Sequence, residues 1–191
     1  MLEFLNPHFP FAFEINLWNL SRATAIVAYL YLWIATITGL LSKTKILLTV
    51  GLNSNLLTIH RKSACFSLNF IIFHALILSY DDYIKLKVKD LFIPFLSTYQ
   101  TFNVTMGILA FYGIVLMIGS MFFLGGKIFR FWHLLTYAAY FMALWHGINI
   151  GTDSSEGWMQ IIYWTTGSLV ILVSTYRVIL RVKDFHRSIE I

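Results

Sequence analysis

Five stretches of this chain carry no charged side chain: Ala23–Ser42, Ser63–Tyr80, Leu91–Gly126, Phe131–Thr152 and Gly157–Tyr176. A helix needs about 20 mainly apolar residues to cross a bilayer. Four of the stretches fit one helix each. The third is too long for one helix and too short for two. Pro94 near its start marks Leu91–Thr101 as an interfacial lead-in and Phe102–Leu124 as the helix. The expectation is an all-α integral membrane bundle of five transmembrane helices. Composition agrees: hydrophobic residues make up 58% and charged residues 12%, against about a quarter charged in soluble domains. So little polar surface cannot cover a globule in water, which makes the expected location the cell membrane, as a multi-pass protein with lipid as its surroundings.

The basic residues sort by loop. Lys43, Lys45, Arg61, Lys62, Lys127, Arg130, Arg177, Arg181, Lys183 and Arg187 fall on one side of a five-helix chain, which is ten of the fourteen. The positive-inside rule then sets the N-terminus outside and the C-terminus in the cytoplasm. This reading accounts for the net charge of +5 without a nucleic-acid partner. Residues 1–16 hold Pro7, Pro10 and Glu14 and are expected to lie along the outer interface, with no cleavable leader. Residues 17–181 form the membrane domain, and 182–191 a basic cytoplasmic tail. The single cysteine, Cys65, excludes an internal disulfide, an iron–sulfur cluster held by this chain alone and a covalent CxxCH haem site. Its simplest role is as a small apolar packing residue.

Against this apolar background the histidines stand out. His60 and His74 lie fourteen apart in the second expected helix, and His133 and His146 thirteen apart in the fourth, Ile128–Thr152. An imidazole in hydrocarbon is expensive and points to function. Both helices run from cytoplasm to outside, so His60 and His133 share an inner depth and His74 and His146 an outer one. The layers are roughly 20 Å apart at about 1.5 Å per residue. Two imidazoles at one depth on facing helices can ligate a haem iron from its two sides, and two such pairs hold two b-type haems. Zinc or copper sites want three or four ligands close together. A proton relay wants intramembrane acids, and the second and fourth spans have none.

Phe66, Phe70, Phe73, Trp132, Tyr137, Tyr140, Phe141 and Trp145 offer a greasy slot, although membrane aromatics also serve as packing and interface belts. Arg61, Lys62 and Arg130 lie within a turn of the inner histidines. They serve topology and can pair with carboxylates such as haem propionates. The thirteen-residue step leaves His146 about 140° around a regular helix from His133. The fourth helix is therefore either wound irregularly or used from two azimuths. Two other readings remain: a transporter whose histidines bind protons or metal, and a haem-free scaffold.

At these residues the chain resembles the ferric reductase-like transmembrane domain. That haem-binding core is shared by ferric reductases, NADPH oxidases and the haem subunit of a bacterial periplasmic methionine sulfoxide reductase system. "HRKSACFSLNFIIFH" resembles the family's first histidine pair and "WHLLTYAAYFMALWHG" its second. "INIGTDS" and "LWNLSRATAIVAYLYLW" are similar to the short bacterial members. The likeness covers about Leu17 to Arg181. It implies an oxidoreductase subunit with His60, His74, His133 and His146 as iron ligands, passing electrons to an external acceptor, with ferric iron as one candidate. Bis-histidine ligation leaves no open iron position, so the acceptor is expected to be reduced at the haem edge. Many members have six helices, and this chain is expected to lack the first. Many also carry a flavin and nicotinamide domain. No nucleotide motif occurs here, so a separate flavoprotein reductase or quinol is the expected donor.

Overall fold

The computed structural model describes residues 16–42, 53–80, 86–123 and 126–189, without the side chains of 122, 127, 130, 131, 181 and 184–189. Among the described residues every regular element is helical. In chain order they are α1 (Leu17–Leu41), α2 (Asn53–Ser79), α3 (Val88–Phe92), α4 (Thr101–Phe123), α5 (Gly126–Trp132), α6 (Leu135–Ile150), a 3₁₀ turn (Thr152–Ser155) and α7 (Gly157–Ile189).

Apolar runs form these helices, and hydroxyls keep their backbones satisfied. Asn16 caps α1, its side chain accepting the Asn19 N–H. Thr24, Thr36 and Thr38 donate their hydroxyls back to Leu20, Leu32 and Ile34 carbonyls one turn earlier. Each polar group is thereby satisfied within its own helix, as hydrocarbon requires. The irregular segment 93–100 contains Pro94, and Phe95 and Gln100 adopt positive φ (64° and 40°). Side chains hold it against α4: Phe95 N–H donates to Thr105 Oγ1 at 2.9 Å, and the Tyr112 hydroxyl to the Phe92 carbonyl at 2.5 Å.

Among the described residues four helices are long and apolar enough to cross a membrane: Leu17–Leu41, Ser54–Ser79, Thr101–Met121 and Gly157–Leu180. In the most apolar window of α2 only 11% of residues are buried. So much unburied apolar surface needs a nonaqueous neighbour, as in a multi-pass membrane protein. The expected helix over 128–152 differs from the structure, which divides it into α5 and α6 around a turn at His133–Leu134. The sixteen residues of α6 fall short of a bilayer by themselves. At the far end, α7 continues as helix through the segment read as a tail.

Packing is closest within two pairs, α1 with α2 and α4 with α6, while α7 lies against α1 and α6. Small residues bring each pair together, as is usual between membrane helices. Ser63 and Ser67 are buried on α2, and the Ser67 hydroxyl donates to the Ala28 carbonyl at 3.0 Å. A Cβ at Gly113 on α4 would lie 2.9 Å from the Ala139 Cβ on α6. The core gathers Tyr29, Leu32, Leu40, Ile114, Ala139, Tyr140, Met159, Tyr163 and Val170.

Gly113→Ala should therefore push α4 from α6 and destabilise the fold by about 1–3 kcal/mol. Gly119→Ala, which meets nothing within 4 Å, should be neutral or stabilising by up to about 1 kcal/mol. Thermal unfolding in detergent separates the two; equal midpoints would refute the close contact.

Candidate functional site

Three of the four membrane histidines are anchored by one device. The His60 Nδ1 lies 2.7 Å from the Ala35 carbonyl oxygen, the His74 Nδ1 3.0 Å from that of Ser21, and the His146 Nδ1 2.8 Å from that of Asn103. A carbonyl only accepts, so each Nδ1 carries the proton and donates it. Reaching a carbonyl inside a helix requires room one turn later, where a side chain would stand in the way. Four residues after Ala35 is Gly39, four after Asn103 is Gly107, and four after Ser21 is Ala25. A Cβ on Gly39 would lie 2.9 Å from the His60 Nδ1, and one on Gly107 2.7 Å from the His146 Nδ1. The small residue is a seat for the ring.

This device fixes the chemistry of the rings. With Nδ1 as donor, the neutral imidazole has its lone pair on Nε2, the arrangement of metal-ligating histidines. Among the described residues, the hydrogen bonds of His60, His74 and His146 all use Nδ1.

Two of the rings meet directly. His60 and His133 have ring centroids 6.0 Å apart with planes at 74°. A metal–nitrogen bond of about 2 Å and a ring radius of about 1.2 Å set two centroids about 6 Å apart across one metal ion. The break in the fourth helix makes this meeting possible. Thr136 and Tyr137 N–H groups donate to the carbonyls of His133 and Leu134, three residues back, both at 3.2 Å. This tightened turn uncouples His133 from the azimuth of α6, so both histidines can face α2 despite their thirteen-residue spacing.

His74 and His146 line one cavity of about 280 Å³ between the helix pairs. Its walls are mainly aliphatic, and Tyr29, Phe111 and Tyr163 are among its aromatic residues. Arg22 and Asp153 also line it and form an ion pair, with Nε donating to Oδ2 at 2.9 Å and the Nη2 group on Oδ1. The pair ties α1 to the 3₁₀ turn after α6. Between the two layers, Tyr29 stacks on the fully buried Tyr140 (6.1 Å, 24°). Thr166 donates to the Ile162 carbonyl, which leaves its oxygen to accept the Tyr29 proton at 2.5 Å, and Tyr29 to accept from Tyr140 at 3.1 Å.

A family model described as "Domain of unknown function (DUF8596)" matches residues 16–153. The chain belongs to the DUF8596 family. No curated protein and no solved structure matches it. The DUF8596 region holds all four histidines, the three carbonyl anchors and both members of the ion pair, while α7 lies beyond it.

Within the DUF8596 region the other expected site residues fall differently. Arg61 and Lys62 are exposed on α2 next to His60. Arg130 lies in α5, and its side chain is outside the described residues. None of the eight aromatics expected to form the slot lines the outer cavity. Phe66, Phe73, Trp132 and Trp145 are exposed, and Phe66 and Phe70 pack on Tyr31. Their rings turn outward or onto α1 rather than into the cavity that His74 and His146 line. Sequence reasoning missed Gly39, Gly107, Ser21 and Asn103. The available signal was a glycine inside an apolar span at the depth of a histidine. Among the described residues no three of His, Cys, Asp and Glu gather as a metal site.

Gly107→Ala should displace the His146 ring and break its bond to Asn103. The loss of a buried hydrogen bond costs about 1–3 kcal/mol. The melting point of the purified protein should fall accordingly, and an unchanged midpoint would remove Gly107 from the anchor.

Proposed function

We propose that this protein carries electrons across a membrane through two b-type haems, from a cytoplasmic-side donor to an external acceptor. The carrying observation is the shared anchor, a Nδ1–H given to a backbone carbonyl beside a small residue. It presents Nε2 as a ligand at His60, His74 and His146. The separation of the His60 and His133 rings fits one iron between them, and the apolar cavity bounded by His74 and His146 fits the second site. Haem suits this donor set because it asks the protein for two ligands per iron rather than three or four. When bound, the iron supplies a one-electron redox couple whose potential the protein sets.

The rest of the assignment concerns the chain's own residues. His60 and His133 hold the inner site, and His74 and His146 the outer. Arg61 and Arg130, beside the inner histidines in sequence, are assigned to carboxylates at that face. The ion pair of Arg22 with Asp153 closes charge at the outer end without leaving a lone ion among apolar walls. In this reading α5 and α6 together make the fourth of five crossings, with the N-terminus outside and the C-terminus cytoplasmic. The donor is a separate flavoprotein or quinol. The resemblance to ferric reductase-like domains makes ferric iron the first acceptor to try.

The test is the dithionite-reduced minus oxidised absorption spectrum of the purified protein, with haem quantified per chain. The expected result is a b-type spectrum with two haems. His74→Ala should remove one and leave the other. A colourless protein after expression with added hemin would overturn the proposal and favour proton or metal transport by the same histidines. Loss of both haems in the variant would overturn the independence of the layers.

A further inference from the structure

The three described anchors differ in one respect. His60 and His146 meet backbone carbonyls alone, whereas the His74 Nδ1 also lies 3.0 Å from the Ser21 hydroxyl oxygen. Ser21 is 1% exposed, so no water competes for that oxygen. Its carbonyl is shared: the His74 Nδ1 reaches it at 3.0 Å, as a residue of α1 it serves the helical ladder, and the Thr24 hydroxyl, with one proton for two carbonyls, lies 2.9 Å from it and 2.9 Å from that of Leu20. A carbonyl oxygen has two lone pairs. The ladder and the imidazole already take both, a Thr24 hydroxyl turned to it would compete, and the adjacent Ser21 hydroxyl is a second acceptor within reach of Nδ1.

We propose that Ser21 is a positioning residue for the outer site: its hydroxyl accepts the Nδ1 proton of His74, aims Nε2 at the cavity and makes His74 the most electron-rich of the anchored ligands. The second half rests on the haem reading above. An outer-sphere acceptor on the distal N–H raises the basicity of a ligating imidazole. A more basic ligand favours the oxidised iron, so the Ser21 hydroxyl holds the outer site at a lower potential than a carbonyl alone would. A carbonyl acceptor cannot be deleted by a point substitution, only lost by filling the seat and displacing the ring, as at Gly39 and Gly107. The hydroxyl can, which makes this the place where side-chain identity adjusts one layer without touching the other.

Two measurements on the full chain test it, using Ser21→Ala and Ser21→Thr. In haem-loaded protein, a redox titration of Ser21→Ala should show both haems present and one midpoint potential raised. The expected change is about three- to tenfold in the equilibrium between the layers, or roughly 30–60 mV for a one-electron couple. Ser21→Thr, which keeps the hydroxyl, should return the potential to that of the parent. In haem-free protein, histidine ¹⁵N spectra should show His74 as the Nδ1–H tautomer, with that resonance moved in Ser21→Ala and restored in Ser21→Thr. Unmoved potentials with both haems bound would overturn the proposal, as would equal shifts in the two variants or a His74 that carries its proton on Nε2. A parent protein that binds no haem fails the electron-transfer reading, and the haem-free spectra still decide the role of Ser21.

Discussion

An imidazole buried among apolar helices has one N–H that must be given away and one lone pair left to use. The chain meets the first demand with backbone carbonyls of a neighbouring helix, and most of its architecture follows. A helix interior carbonyl is reachable only where the next turn presents no bulk, so α1 carries Gly39 and Ala25 and α4 carries Gly107. These seats require α2 to lie along α1 and α6 along α4, and those are the two most closely packed pairs. The cavity lined by His74 and His146 lies between the pairs. Stability and ligand presentation are thus one interaction seen from its two ends.

The turn at His133–Leu134 has a similar double character. As a helix defect it shortens α6 below the length of a bilayer crossing. As a joint it corrects an arithmetic mismatch, because a regular helix cannot present residues thirteen apart on one face. Helix α2, whose histidines are fourteen apart, runs unbroken over the same distance. The two strands of the site therefore reach the same two depths by different means.

Much of this was legible in the sequence, for reasons that depend on chemistry rather than packing. Charge-free windows located α1, α2, α4 and α7, since hydrocarbon excludes charge without regard to detail, but not all of their ends: α2 begins ten residues before its window and α7 runs on to Ile189. The mismatch between steps of thirteen and fourteen left two alternatives for the helix of His133 and His146, irregular winding or use from two azimuths, and the turn at His133–Leu134 is of the first kind. What was not legible depends on rotation about helix axes. Phe66, Phe73 and Trp145 lie close to the histidines in sequence but on other faces, and an aromatic ring reads the same whether it lines a cleft or meets lipid. Gly39 and Gly107 were overlooked because a glycine in a membrane helix carries no chemistry of its own. Its meaning comes from the ring that fills its place. Asn103 meets His146 through its main chain, which a sequence does not display, and a serine in an apolar span does not show which ring its hydroxyl faces.

The hydroxyl chain at the centre of the bundle bears on where this protein's boundaries lie. Tyr140 donates to Tyr29, and Tyr29 to Thr166 on α7. Sequence likeness to DUF8596 stops at Asp153, thirteen residues before the group that receives the phenol proton. Met159, Tyr163 and Val170 complete the same core from the same helix. The stretch recognised as a family and the stretch that closes its own interior are therefore different objects. The first carries the ligands, and the second includes the wall that keeps a buried tyrosine pair from facing lipid with an unmet proton.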